Sequence, residues 1–384
     1  MAQTISLLGD AFTWVGLALL AYQISPENSA KILATALTLR VTAHIIFSPF
    51  AGVLADKVDR KKILYFTHFI RMALVCCLPF INSEWQIYVL VFLLNIFNSF
   101  FTPTYRAIIP QITEGRYYRE AVGLSTATFQ LLGVLGPAFA GIIAVWLGAR
   151  QIFFLDGLSF ILAAVLILTI PGRELQKGVN ANVRKSATTW GNIIKGIRLL
   201  FGNRILRFAL AIEFVAAITV AMILVNTISY IKNDLLLSAR HYGWIMAILG
   251  IGAAISAFIL GSLDKTKTRS LSLISGALLL GISVCFANYA PYGVLMGLWL
   301  MAGLGQSLAQ MPSETLIAEN ITSENQGKVY GSHFAFSHLW YFIAYPFAGF
   351  LGTYFPKKEF LYGGIITIVL AIFSLILFKP KLKL

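Results

Sequence analysis

The sequence predicts an all-α membrane protein of twelve transmembrane helices arranged as two six-helix repeats. Three observations predict it. Apolar residues make up 58% of the 384 and charged residues 12%, about half the charged share of a soluble domain. Twelve apolar runs each approach the ~20 residues that span a ~30 Å hydrocarbon core at 1.5 Å per residue. Landmarks also recur at one offset: Gly52 and Gly261, Pro103 and Pro312, and Ile112-Thr113 and Ile321-Thr322 are each 209 residues apart, with Asp56 and Asp264 at 208. Such a repeat marks an internal duplication, the usual construction of secondary transporters.

In chain order the runs are residues 2–22, 32–55, 63–81, 85–101, 121–147 and 152–170, then 206–231, 242–260, 271–287, 292–312, 329–355 and 360–378. The expected organisation is an N-terminal half (1–170), a cytoplasmic linker (171–204) and a C-terminal half (205–384). The first run reads as a crossing rather than a signal peptide, lacking a basic start and a small-residue cleavage site. Its second-half counterpart starts near Ile205, which maps to before residue 1. The first helix is therefore expected to lack upstream residues or to begin without a cytoplasmic cap.

Lys and Arg set the orientation. Six lie in the turns of one side (Lys31, Arg150, Lys232, Arg240, Lys357, Lys358), and 22 in the loops and ends of the other. The richer side stays inside, which places both termini in the cytoplasm. This sidedness also accounts for the net charge of +14 without a nucleic-acid partner. Within the linker, Trp190, Ile193, Ile194, Ile197, Leu200 and Phe201 recur at helical spacing opposite Lys195 and Arg198. The pattern predicts a helix lying on the inner membrane face. Cys76, Cys77 and Cys285 sit in apolar runs and imply neither a metal nor a disulfide framework.

The stretch Gly52-Val-Leu-Ala-Asp56-Lys-Val-Asp-Arg60-Lys-Lys62, between the second and third runs, resembles the signature loop of the major facilitator superfamily. It returns as Gly261-Ser-Leu-Asp264. The stretches Ser6–Asp10, Phe101–Tyr105, Gly133–Gly141 and Phe154–Phe160 further resemble its branch of macrolide-efflux proteins and enterobactin-type siderophore exporters. The resemblance implies a gate in which Gly52, Asp56 and Arg60, with Gly261 and Asp264, meet the start of the eleventh helix near Lys328. It also implies that Gly133, Gly136, Pro137 and Gly141 form an export-associated packing motif in the fifth helix, departing from the usual pattern at Ala140. Small-residue helix packing explains that motif equally well.

Charges inside the crossings are costly and therefore informative. Asp10 lies about 15 Å along the first helix and Arg40 at a matching depth in the second, with His44 one turn on. Glu213 lies about 12 Å into the seventh. Asp10 and Arg40 read either as a structural ion pair or as a proton-coupling carboxylate and its tuning cation. Arg71, near His68, is expected to be structural, since the resemblance puts third helices at the periphery. His333, His338, Trp340 and Tyr341 of the eleventh helix are candidates for a polar cavity wall.

No nucleophile, metal-ligand or nucleotide-loop pattern is present, so an enzyme, a cofactor and ATP are not expected. The function expected is secondary export of a small amphipathic molecule, drug-like or siderophore, across a bacterial cytoplasmic membrane by alternating access. Protons would be exchanged, and the protein would work as a monomer. A lysophospholipid flippase on the same fold is the alternative.

Overall fold

The computed structural model describes residues 1–113, 118–169, 190–262 and 269–378. These form thirteen α-helices: α1 (Ala2–Ile24), α2 (Ser29–Lys57), α3 (Arg60–Cys77), α4 (Glu84–Ile112), α5 (Tyr118–Leu147), α6 (Ile152–Leu168), α7 (Trp190–Gly202), α8 (Arg204–Ser229), α9 (Ala239–Ser262), α10 (Arg269–Cys285), α11 (Tyr292–Asn320), α12 (Ser323–Tyr354) and α13 (Glu359–Phe378). No strand occurs among the described residues. In hydrocarbon every backbone donor and acceptor must be paired within its own segment, which leaves helices as the way across. Among the described residues, ten helical segments are long and apolar enough to cross, and α6 is a shorter apolar helix.

The chain divides into two units, Met1–Pro26 with Thr35–Ser186, and Glu27–Ala34 with Ala187–Leu384. In the first, α1 packs on α5 and α6, and α3 on α4 and α6. In the second, α8 packs on α12 and α13, and α10 on α11 and α13. The same partnerships recur at corresponding positions of the helix order.

Helix ends show why the basic hairpin before α3 has its composition. Asp59 caps α3 by accepting from the Lys61 N–H at 2.9 Å, satisfying a donor that no helical carbonyl can reach. Lys61 Nζ donates to the Leu168 carbonyl at 2.8 Å. A cation therefore sits on the orphan acceptors ending α6.

The linker helix α7 turns one face to protein and leaves the other open. Gly196 and Leu200 are the buried pair, one turn apart, whereas Ile193, Ile194 and Phe201 are exposed. A Cβ at Gly196 would collide with the Lys328 carbonyl and Ser332 Oγ, so a residue without a side chain is what lets α7 lie on α12. The eleventh predicted span starts earlier than expected. Thr322 is the N-cap of α12 and Glu324 occupies its first turn. Lys328 is in the second turn, donating to Asn325 Oδ1 at 3.2 Å, and is not the helix N-terminus.

Candidate functional site

Two buried polar clusters stand out, one in each unit. In the first unit the partner of Asp10 is Arg71, not Arg40: Arg71 Nη2 donates to Asp10 Oδ1 at 2.6 Å. The expected Asp10–Arg40 pair is thereby corrected. The Arg40 guanidinium lies 4.2 Å from the centre of the Trp14 ring, a cation–π contact. His44 Nδ1 is 3.0 Å from the Arg40 carbonyl. The peripheral placement of Arg71 is corrected too, because its side chain is 0% exposed. It stacks 4.1 Å from the Phe160 ring centre and 5.7 Å from that of Phe101. These aromatic faces attract the faces of a guanidinium whose Nε and Nη1 have no hydrogen-bond partner.

A second carboxylate joins this cluster. Asp156, on α6 and fully buried, accepts from the Thr13 hydroxyl of α1 and from Ser159 Oγ at 3.1 Å. It is within electrostatic reach of both Asp10 and Arg71. Gly9 makes the approach of α1 to α6 close enough, since any Cβ there would run into Ser159 Oγ and the Asp156 carboxylate. His68, also buried, packs 4.6 Å from the Phe101 ring centre. Sequence reasoning placed Asp156 in a family stretch but not in the site. The criterion that selected Asp10, a charge inside a crossing, would have selected it as well.

In the second unit the structure brings together two residues singled out separately. Glu213 Oε1 lies 2.8 Å from His333 Nε2, and Ser337 Oγ donates to Glu213 Oε2 at 3.2 Å. Glu213 and His333 side chains are 10% and 12% exposed. His333 and Ser337 are one turn apart on α12, so both reach the same carboxylate. Ser337 carried no signal of its own in the sequence.

The remaining candidates are dispersed. Tyr341 Oη accepts from Gln310 Nε2 at 3.0 Å, Trp340 packs 4.8 Å from the Phe214 ring centre, and His338 Nδ1 is 2.9 Å from the Phe334 carbonyl. Gly136 of α5 faces Ala11 of α1, where a Cβ would come within 2.8 Å of the alanine methyl, and Gly141 is buried. Gly52 and Asp56 fall in α2, Gly133 and Pro137 in α5, and Gly261 in α9. Their side-chain surroundings, like Asp264 as a whole, lie outside the described residues. Arg60 begins α3. Among the described residues no group of His, Cys, Asp and Glu is arranged to hold a metal ion.

The family model described as Major Facilitator Superfamily matches residues 1–227 and 209–383. The uncharacterized MFS-type transporter YfiS of Bacillus subtilis (strain 168) is 26% identical over 98% of this chain and 91% of its own length. Macrolide efflux protein A of Streptococcus pyogenes is 24% identical over 85% of this chain and 82% of its own length. The staphyloferrin A transporter of Staphylococcus aureus (strain NCTC 8325 / PS 47) is 21% identical, covering 82% and 80%. Among solved structures, the nucleoside transporter NupG superposes with a TM-score of 0.72 over 99% of this chain and 98% of that one, at 13% identity. With a family model over both halves, a matching fold and relatives of nearly the same length, the chain belongs to the Major Facilitator Superfamily and is a multi-pass membrane transporter.

Proposed function

We propose that this transporter is a secondary active exporter, moving a small amphipathic molecule out across the bacterial cytoplasmic membrane in exchange for protons. The observation that carries the reading is the pair of buried acidic clusters, one in each unit. In the first, two carboxyls, Asp10 and Asp156, face a single guanidinium, Arg71. With both ionised the three groups sum to −1, and one proton brings the sum to zero. In the second, Glu213 faces a histidine rather than a permanent cation, so its counter-charge also comes and goes with a proton. Groups of this kind inside a crossing are costly to keep unless they do such work.

Twelve crossings in two repeats complete the reading, with α7 as the linker element between residues 1–170 and 205–384. The recurring helix partnerships and the 209-residue offset support it. The excess of Lys and Arg on one side supports cytoplasmic termini. Export, and a drug-like or siderophore cargo, draw support from relatives whose names include macrolide efflux and staphyloferrin A transport. The segment from Gly52, near the end of α2, to Arg60, at the start of α3, is read as the cytoplasmic gate.

The test is made in two stages. A strain lacking the gene is challenged with macrolides and assayed for secreted iron chelator. The compound affected is then offered to proteoliposomes under an imposed pH gradient. Uphill movement that collapses with the gradient is expected, and movement indifferent to the gradient refutes proton exchange.

A further inference from the structure

Away from the two acidic clusters, the second unit contains a cavity of about 690 Å³, within the usual range of ligand pockets. Its wall is aromatic and aliphatic, including Phe201 from α7, Phe214 from α8, Trp340 from α12 and Phe378 from α13. Among the described residues, the charged groups on it are Arg204 and Arg207, in the first turn of α8, and no carboxylate lines it. Both arginines are exposed, and the Arg207 guanidinium lies 5.9 Å from the Phe378 ring centre.

The shape is polarised. Ten residues separate Arg204 from Phe214 along α8, about 15 Å at helical rise, so the pocket runs from two cations at a helix end to an aromatic floor well inside the bilayer. The floor is built of packed rings: Phe201 packs on Phe336 with ring centres 5.0 Å apart, and Phe336 on Trp340 at 6.0 Å. Phe336 and Trp340 continue, at four-residue spacing, the α12 face on which Gly196 seats the linker helix against Lys328 and Ser332. A soluble anion would use the arginines and leave the apolar wall empty, and a neutral apolar chain would use the wall and leave the cations idle.

We propose that this pocket binds an anionic phospholipid of the inner leaflet, its phosphate at Arg204 and Arg207 and an acyl chain along Phe214 and Trp340. The lipid is a bound ligand joining the linker helix to α8, α12 and α13, and is not the transported cargo. The inference goes beyond the exporter reading and takes from it only which leaflet the arginines face. Basic residues at a membrane surface draw anionic lipid with an affinity that adds per charge, and the wall gives the chain a site that loose attraction at the surface would not.

The test reads tryptophan quenching. Purified full-length protein is reconstituted in phosphatidylcholine vesicles containing a minor fraction of chain-labelled doxyl lipid, as either phosphatidylglycerol or phosphatidylcholine. The Trp340 share is taken as wild type minus Trp340→Phe. Labelled phosphatidylglycerol is expected to quench that share more strongly, with the preference falling about fivefold for each of Arg204→Gln and Arg207→Gln, and unchanged for Lys195→Gln, which lies off the pocket. Equal quenching by the two lipids in wild type, or a preference that survives the double variant, overturns the proposal. Should the double variant fail to fold, salt replaces it: the preference must fall with ionic strength in wild type, and a salt-independent preference is a refutation. Excess inorganic phosphate should leave the preference intact, and competition by phosphate would instead mark a soluble-anion site. No transport is measured, so failure here leaves the exporter reading standing, and failure of that reading leaves this result standing.

Discussion

Arg71 donates to Asp10 at 2.6 Å across 61 residues of sequence, with its guanidinium stacked 4.1 Å from the centre of the Phe160 ring. The contact ties α3 to α1 and, through the aromatic ring, to α6. It makes the two partners unequal. Arg71 is fully buried and cannot be left without an anion, whereas Asp10 is partly open.

That inequality predicts different outcomes for two isosteric changes. Asp10→Asn should abolish uphill export while leaving folded protein in the membrane, because Asp156 still answers Arg71. Arg71→Gln should cost about 3–5 kcal/mol of stability, the usual penalty for stranding a buried charge. Thermal unfolding in detergent and pH-driven flux in vesicles separate the two. Undiminished flux in Asp10→Asn would make Asp10 structural.

Glu213 and His333 should act as one titrating unit. Each of Glu213→Gln and His333→Gln is expected to flatten the pH dependence of transport, and the double variant to add little beyond either single change. Rate–pH profiles of the four proteins check this. Independent, additive effects would separate the two residues.

Gly9→Ala should destabilise by about 1–3 kcal/mol, as overpacking does, because the new methyl meets Ser159 and Asp156. Gly191→Ala on α7, where a Cβ meets nothing within 4 Å, should instead gain up to about 1 kcal/mol of helix stability. Unfolding midpoints of the two variants should move in opposite directions.

Asp56→Asn should shift the conformational equilibrium toward the inward-facing state by about 1–3 kcal/mol, slowing transport without changing the cargo. Cysteine accessibility at cytoplasmic cavity positions should rise in step. Wild-type accessibility together with a wild-type rate would reduce the loop to a basic hairpin that sets topology.

Orientation has its own check. A reporter fused after Arg184 should appear in the cytoplasm and one fused at Asn233 outside. The reverse pattern would undo the charge argument, on which both placements rest.

The helical class, the apolar crossings and the repeat offset were legible in the sequence alone, because hydropathy over ~20 residues is a local property and lipid allows a crossing segment little but a helix. The intramembrane charges Asp10, Arg40, Arg71 and Glu213 were legible for the same reason, as exceptions within apolar runs. Partnership was not. Asp10 took Arg71 rather than Arg40, Thr13 reached Asp156 across 143 residues, and Glu213 met His333 across 120. Depth along a helix follows from residue count, but the direction a side chain faces depends on how each helix is rotated against its neighbours. Contacts such as Gly9 on Ser159 and Gly196 on Lys328 set that rotation, and these non-local fits exist only once the chain has packed.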